Sequence, residues 1–422
     1  MEFGADLDLT SSSMSTKAVI LVGGDTRGTR FRPISLSTPK VLFPAGNEPL
    51  LAHVVGRLIS NGPALQEILL IGFYENSVFD NFIGEFSHRH PNVCLRYLRE
   101  YRALGTAGGL YHFRDQILRG KPERILVINA DVCSSVPVKE MSLELDAHPE
   151  AEAIIMGTKV PKGISPKFGG IIADEGGRVL HYVEKPDSAF SDLVNGGLYL
   201  FKSSVFETIA AAKLFHEKHS ESMLDDEDSS EKLSIENDIL PELADKGKLY
   251  VYTTTSYWRQ VKDASSALVA NQLYLADTMS SNPSVLASGP NIRPPVYIDP
   301  KARVSPTAVL GPNVTVCEGV KIGPGCRVRN AVIFPRVELR SNAVVLESIL
   351  CPGVRVGNWA RIEGTPVAVN EYASRVIKDG IKVPRTSILA ESVAVSDEVH
   401  VQNSIVLPHK DIKSHVKNEI VM

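Results

Sequence analysis

A period of six residues governs the last third of the chain. Aliphatic residues stand at Ile298, Val304, Leu310, Val316, Ile322 and Val328 without a break. The phase slips near residues 333–339, resumes at Val344, Leu350, Val356 and Ile362, and returns at Leu389, Val395, Val401 and Leu407. Small or turn residues, often Gly, Pro or Asn, follow several of these positions. A hexapeptide repeat of this length predicts a parallel β-helix, with three short strands per triangular turn and the aliphatic side chains stacked inside. The segment 296–422 is therefore expected to be one such coil. Residues 364–387 interrupt it with a loop long enough to be either functional or disordered.

Upstream the pattern changes. Short apolar runs, KAVILV (17–22), EILLIGF (67–73), RILVINA (124–130) and EAIIMGT (152–158), alternate with helix-like stretches at 50–59 and 108–118. Strands alternating with helices predict an α/β domain over 17–279, built on a parallel sheet covered on both faces. Ligands of such sheets sit at the C-terminal strand ends, where the loop after KAVILV falls. Residues 261–280 read as a helix leading out of this domain, and 280–295, rich in Ser, Pro and Gly, as a linker. Residues 213–234 are acidic, serine-rich and poor in large apolar side chains, which predicts a flexible insertion. His216 and His219 border that acidic run, but nothing else in the sequence completes a metal site around them. Residues 1–16 carry neither a basic start nor an apolar stretch and read as a disordered leader rather than a signal peptide.

Composition narrows the function classes. The 422 residues carry a net charge of −4, so no nucleic-acid or membrane surface is indicated, and no apolar run is long enough for a membrane span. The 5 cysteines form no CxxC pair and are odd in number, which suits reduced thiols and a cytoplasmic protein.

The chemistry concentrates in a few motifs. LVGGDTRGTRFRPISLSTPK (21–40) has the glycine pair of a phosphate loop. Gly23 and Gly24 let backbone N–H groups approach a phosphate, and Arg30 and Lys40 neutralise its charge. LGTAGGL (104–110) can hold a base edge and ribose through its backbone; a plain helix cap is the alternative. Asp131 ends the strong strand of INADV, where a carboxylate suits Mg²⁺ bridging phosphates. KFGGII (167–172), YVEKP (182–186) and VNGGLY (194–199) follow. There Glu184 and Asn195 suit sugar hydroxyls and Lys185 a phosphate.

In this order the motifs resemble the sugar-1-phosphate nucleotidylyltransferases that carry a C-terminal left-handed β-helix. More closely, they are similar to the eukaryotic mannose-1-phosphate guanylyltransferase family, from about Lys17 to Met422. The resemblance implies a Rossmann-like nucleotidyltransferase domain, and an in-line attack of mannose 1-phosphate on the α-phosphate of GTP, driven by positioning and charge neutralisation. It implies that Arg30, Lys40 and Asp131 form the catalytic set, with Asp131 as a magnesium ligand. It assigns Leu21, Gly23, Gly24, Gly105, Thr106, Gly108 and Asp131 to the nucleotide, and Gly169, Glu184, Lys185 and Asn195 to the sugar phosphate.

Two departures from the catalytic pattern stand out. Asp25, Thr26 and Arg27 separate the glycine pair from Gly28, where catalytic members have one residue, and Asp25 adds negative charge where a triphosphate would sit. In SYWRQVKD (256–263), Gln260 stands where the second magnesium-binding aspartate belongs. Losing several kcal/mol of metal assistance slows turnover about a thousandfold or more. Asp263 either substitutes for the missing acid or caps the following helix. These departures resemble the family's alpha-type subunits, as do residues 353–366 and the ending SIVLPHKDIK…EIVM. The resemblance then implies a regulatory subunit that binds GDP-mannose, holds Mg²⁺ weakly, and assembles in homo- and hetero-oligomers with a catalytic beta-type partner, with 364–387 signalling to it. An active guanylyltransferase is the alternative. A third reading, an acyltransferase using His400, His409 or His415 on the coil, has little support, because His400 lies between aliphatic Val399 and Val401.

Overall fold

A computed structural model describes residues 15–24, 29–62, 65–220, 232–366, 368–378 and 380–422. The inserted triplet Asp25-Thr26-Arg27, Gly28, most of the leader and residues 221–231 of the acidic segment lie outside them. The chain divides into two compact units. One comprises residues 1–21, 57–129 and 136–254; the other comprises 22–56, 130–135 and 255–422.

The first unit is built on a sheet. Its strands are β1 (Thr16–Gly23), β2 (Glu67–Gly72), β3 (Cys94–Arg99), β4 (Arg124–Asn129), β6 (Ala153–Lys159), β7 (Gly169–Ala173), β8 (Val179–Glu184), β9 (Leu193–Lys202) and β10 (Leu249–Thr253), while β5 (Val132–Ser134) belongs to the second unit. The order is β8-β7-β9-β4-β1-β2-β3, with β6 pairing β9 and β10. β1 runs parallel to β4, and β2 to β3, as near-continuous apolar runs require. The sheet is not wholly parallel, however. β9 is antiparallel to both β4 and β6, and β7 and β8 pair antiparallel. β9 shifts register between Asn195 and Tyr199, which interrupts the alternation a sequence pattern relies on. The core gathers Val19, Leu69, Ile71, Val127, Ile155, Tyr199 and Phe201 with Ile239 and Leu240.

The acidic segment is less open than its composition suggests. A helix, α1 (Val205–Ser220), carries the chain through its first eight residues. At its far end Leu233 is buried, and its N–H donates to the carbonyl of Leu104.

In the second unit the strands after residue 295 pair in parallel, apart from one hairpin within residues 364–387. One ladder links Arg303, Lys321, Glu338, Arg355, Ala394 and Asp411. Its steps are 18, 17, 17, 39 and 17 residues, from differences of those numbers. The 17-residue step from Lys321 to Glu338 is the phase slip seen in the sequence. The 39-residue step accommodates residues 364–387. Leu310, Val316, Ile322, Val328, Leu339, Val345, Leu350, Val356 and Ile362 pack into one core. One face also points apolar residues outward: Val332, Ile349 and Ile388 join Phe31, Phe43, Val261, Leu268 and Tyr274 in a second core. Phe43 sets its ring edge-on to Phe334 at 5.5 Å. The helix over this face, α2 (Ala264–Ser281), is fixed by polar contacts as well. Asn271 is fully buried, and its Oδ1 accepts from Gly46 N–H and from Thr315 Oγ1, each at 2.7 Å. The segment that follows the phosphate loop thus belongs to the same compact unit as the C-terminal stack.

Residues 364–387 are not a featureless loop. Strands Arg375–Lys378 and Ile381–Pro384 pair antiparallel as a hairpin.

Candidate functional site

β1 ends at Gly23, whose φ of +70° is a left-handed conformation that side chains disfavour. Gly24 follows, and Leu21, half-buried, packs against the first unit's core. Thr29–Phe31 forms a short turn that carries Arg30. Phe31 is buried and holds that turn to the second unit's core. Lys40 begins a later turn, Lys40–Leu42, after Pro39. Arg30 and Lys40, paired by the motif, face different surroundings. Lys40 Nζ lies 2.6 Å from Asp131 Oδ2. Arg30 lines a cavity with Arg32, Asp263 and Arg375.

Asp131 sits just past β4, held from behind by Val261 N–H donating to its carbonyl at 2.8 Å. That bond continues the pairing of β5 with β11 (Trp258–Gln260), in which Gln260 opposes Val132. The register brings Gln260 Nε2 to 3.3 Å from Asp131 Oδ1, to which it donates. Both carboxylate oxygens therefore face donors, one charged and one neutral. Asp263 does not join them. Its Oδ1 accepts from Ser266 N–H and Ser266 Oγ, each at 2.9 Å, completing a capping box at the start of α2. A single carboxylate already ion-paired to a lysine does not fit a divalent cation, which needs anionic oxygens free to coordinate it. Among the described residues no group of three or more His, Cys, Asp or Glu could hold a metal.

The first unit holds the other residues singled out in the sequence. Gly105 has φ +83°, and a Cβ there would lie 2.3 Å from the carbonyl oxygen of Leu233, so only glycine fits. That same carbonyl accepts from the N–H groups of Ala107 and Gly108, at 3.0 and 3.1 Å. The turn is thereby tied to the segment after the acidic insertion. Thr106 Oγ1 accepts from Ile235 N–H and donates to Glu236 Oε2, each at 2.8 Å.

From Glu236 a continuous hydrogen-bond path reaches the sugar motifs. Tyr199 OH donates to Glu236 Oε1 at 3.0 Å and accepts from Asn195 Nδ2 at 3.1 Å. Asn195 Nδ2 also donates to Tyr182 OH at 3.0 Å, and Tyr182 OH donates to Glu184 Oε2 at 3.0 Å. Lys185 Nζ then pairs with Glu184 Oε1 at 2.8 Å, its own side chain largely exposed. Gly169 makes room for this path, since a Cβ there would meet Tyr182 OH at 2.2 Å and Glu184 Oε2 at 2.7 Å. Burial first, and neighbouring Glu184 and Glu236 next, push both phenols well above the ordinary tyrosine range. They stay neutral and keep Asn195 and Glu184 in fixed orientations. Tyr182 and Tyr199 stand inside YVEKP and VNGGLY without a role read from those motifs, and Glu236 lies outside them, with only the apolar flanks of IENDIL to hint at it.

The coil histidines stand elsewhere. His400 Nε2 lies 2.9 Å from Glu363 Oε1, and His400 N–H donates to His415 Nδ1 at 3.1 Å. Arg361 and Gln402 share Glu363, so the cluster is an ion-paired surface network rather than a histidine free to act as a base. Of the two histidines near the acidic segment, His216 lies 3.2 Å from Asp238 Oδ1.

Strand β11 also reaches the insertion. Arg259, one residue before Gln260, is buried. Its guanidinium stacks on the Tyr372 ring at 3.9 Å and donates to the Glu371 carbonyl at 2.6 Å. Beyond this anchor the hairpin exposes two isoleucines, Ile377 by 75% and Ile381 by 59%.

Residues 17–277 match the family model for nucleotidyl transferases, and residues 292–421 match the model described as the GMPPB C-terminal domain. A "Probable mannose-1-phosphate guanyltransferase" of Schizosaccharomyces pombe is 42% identical over 97% of the chain and 100% of its own length. The "Mannose-1-phosphate guanylyltransferase regulatory subunit alpha" of Xenopus tropicalis is 43% identical over 96% of the chain and 100% of its own length. That of Sus scrofa is 41% identical, with the same coverage. Among solved structures, a putative glucose-1-phosphate thymidylyltransferase from Bacillus anthracis superposes with a TM-score of 0.50 at 24% identity. It covers 61% of the chain and 95% of its own length, and shares the fold.

Proposed function

This chain belongs to the mannose-1-phosphate guanylyltransferase family, and on that premise we propose that it is the family's alpha-type regulatory subunit, which binds GDP-mannose and regulates a catalytic beta-type partner. The observation that carries this reading is the Lys40–Asp131–Gln260 cluster. Its one carboxylate is neutralised by a lysine of the same chain, and the second acid is an amide. Such a cluster favours binding a diphosphate product over activating a triphosphate through Mg²⁺.

In this reading Glu184 and Asn195 contact the mannose, Lys185 its phosphate, and Arg30 with the Gly23–Gly24 backbone the diphosphate. Leu21 and the Gly105–Gly108 turn border the nucleoside. The stack after residue 295 is a left-handed β-helix of hexapeptide repeats. The hairpin of residues 364–387 presents Ile377 and Ile381 to the partner subunit in a cytoplasmic hetero-oligomer. An active guanylyltransferase would require Asp263 as the second magnesium ligand, but that carboxylate is engaged as a helix cap.

The test is a titration of the purified chain with GDP-mannose, followed by a turnover assay with GTP, mannose 1-phosphate and Mg²⁺. Binding without turnover, and a GDP-mannose-dependent change in the rate of an added beta-type subunit, is the expected result. Robust turnover abolished by Asp131→Asn overturns the reading.

A further inference from the structure

We propose that a cavity of about 420 Å³ in the second unit is a separate effector site for a small organic molecule bearing a multiply charged phosphate group. Three stretches of chain build it. Arg30 and Arg32 come from the segment after the phosphate loop, Arg375 from the first strand of the inserted hairpin, and Asp263 from the start of α2. Ile388, Ile405 and Ile420, from successive parallel strands, form an apolar floor.

Charge selects an anion. Three arginines line the cavity against one aspartate, whose carboxylate already accepts from Ser266. No side chain among the described residues pairs with Arg30, Arg32 or Arg375. Arginine's planar fork matches phosphate oxygens two at a time, so three of them suit a group with several such oxygens. The isoleucine floor suits the organic body that carries it. The volume falls in the range of small-molecule sites.

The cavity is also built in advance. Arg259 grips the carbonyl of Glu371 and the ring of Tyr372, three residues before Arg375. On the other side of the hairpin, Asn403 Nδ2 donates to the carbonyls of Pro384 and Arg385, at 2.8 and 3.1 Å. Both ends of the hairpin are thus fixed, and Arg375 is held at the cavity wall rather than left to find it. Neither Lys40, Asp131 nor Gln260 lines the cavity; Arg30, given above to the diphosphate of GDP-mannose, is the one residue the two readings share, and Arg32 and Arg375 set this site apart. An anion bound there joins Arg375 to Arg30 and Arg32 and holds the hairpin against the stack.

The experiment titrates the full-length chain with inorganic diphosphate by calorimetry, and follows hydrogen exchange of residues 374–386. Arg32→Ala and Arg375→Ala are each expected to weaken diphosphate binding about tenfold, from the loss of a charge-assisted contact. With GDP-mannose saturating the phosphate-loop site, diphosphate binding should persist, and exchange at 374–386 should slow when diphosphate is bound. Circular dichroism and GDP-mannose titration of the same variants show that they remain folded. No diphosphate binding at millimolar concentration overturns the proposal. So does binding lost in Lys40→Ala and retained in both arginine variants, because that places diphosphate at the phosphate loop.

Discussion

Gln260 donates to the same carboxylate, Asp131, whose other oxygen lies 2.6 Å from Lys40. Where two acids would attract a divalent cation, an amide and an ammonium now satisfy one acid. A second carboxylate beside Asp131 would offset the lysine's charge at close range, where opposite charges interact strongly. Gln260→Asp is expected to tighten Mg²⁺ binding about tenfold or more, read by calorimetry. Unchanged Mg²⁺ affinity would show that the amide is not what excludes the metal.

The hydrogen-bond path through Tyr199 makes a stability prediction. Tyr199 is fully buried, and its hydroxyl serves both Glu236 and Asn195. Tyr199→Phe leaves buried Asn195 and half-buried Glu236 each short of a partner, at a cost of about 1–3 kcal/mol in chemical denaturation. GDP-mannose affinity should fall with it, since Asn195 loses one of the contacts that orient it. A double variant that also replaces Glu236 by Gln should recover part of the lost stability, because the charge left unpaired is then removed.

The same phenols set a pH limit. The pKa values of Tyr182 and Tyr199 lie well above the ordinary 10.0 in the folded protein, chiefly through burial. A raised folded value means that the native state holds the proton more tightly than the unfolded chain. The stability this represents is present in full below pH 10.0 and is lost as pH climbs from there toward the folded values. Ultraviolet titration of tyrosinate should show at least two phenols ionising only as the protein unfolds.

Asp263 is expected to behave as a cap. Asp263→Ala should cost about 1 kcal/mol of stability, the usual loss of an N-cap, and leave Mg²⁺ binding unchanged. Thermal melts and calorimetry read the two effects separately, and a change in metal affinity would return Asp263 to the metal site.

The exposed isoleucines of the hairpin give a test of partner contact. Ile377→Asp with Ile381→Asp alters side chains that are 75% and 59% exposed, so the isolated chain should lose no more than about 0.5 kcal/mol per site. Co-purification with a beta-type subunit, or GDP-mannose control of its rate, should nonetheless be lost. Retention of both would remove the hairpin from the interface.

Much of the architecture was legible in residue order. Periodicity is a local property, so the run from Ile298 to Val328 announced stacked strands, and KAVILV and RILVINA announced buried ones. The antiparallel course of β9 was not legible, because a strand buried on both faces reads alike in either direction. The hairpin inside 364–387 was hidden too, since its strands Arg375–Lys378 and Ile381–Pro384 are only four residues each, too short for a period to show. Motif spacing likewise singled out Lys40, Asp131, Glu184 and Asn195, and the family resemblance pointed to the absence of a second acid at position 260.

The sequence by itself determined which chemical groups are present: one aspartate, one glutamine, and the glycines that only a left-handed or crowded backbone needs. Tertiary structure alone decided what those groups do to one another. Lys40 and Asp131 lie 91 residues apart, and Gln260 another 129 beyond Asp131. Their meeting depends on the pairing of β5 with β11, which no local pattern encodes. The same holds for Tyr199 and Glu236, and for the three arginines around one cavity. Electrostatic and hydrogen-bond energies fall off within a few ångströms, so they depend on folded distance rather than on separation along the chain.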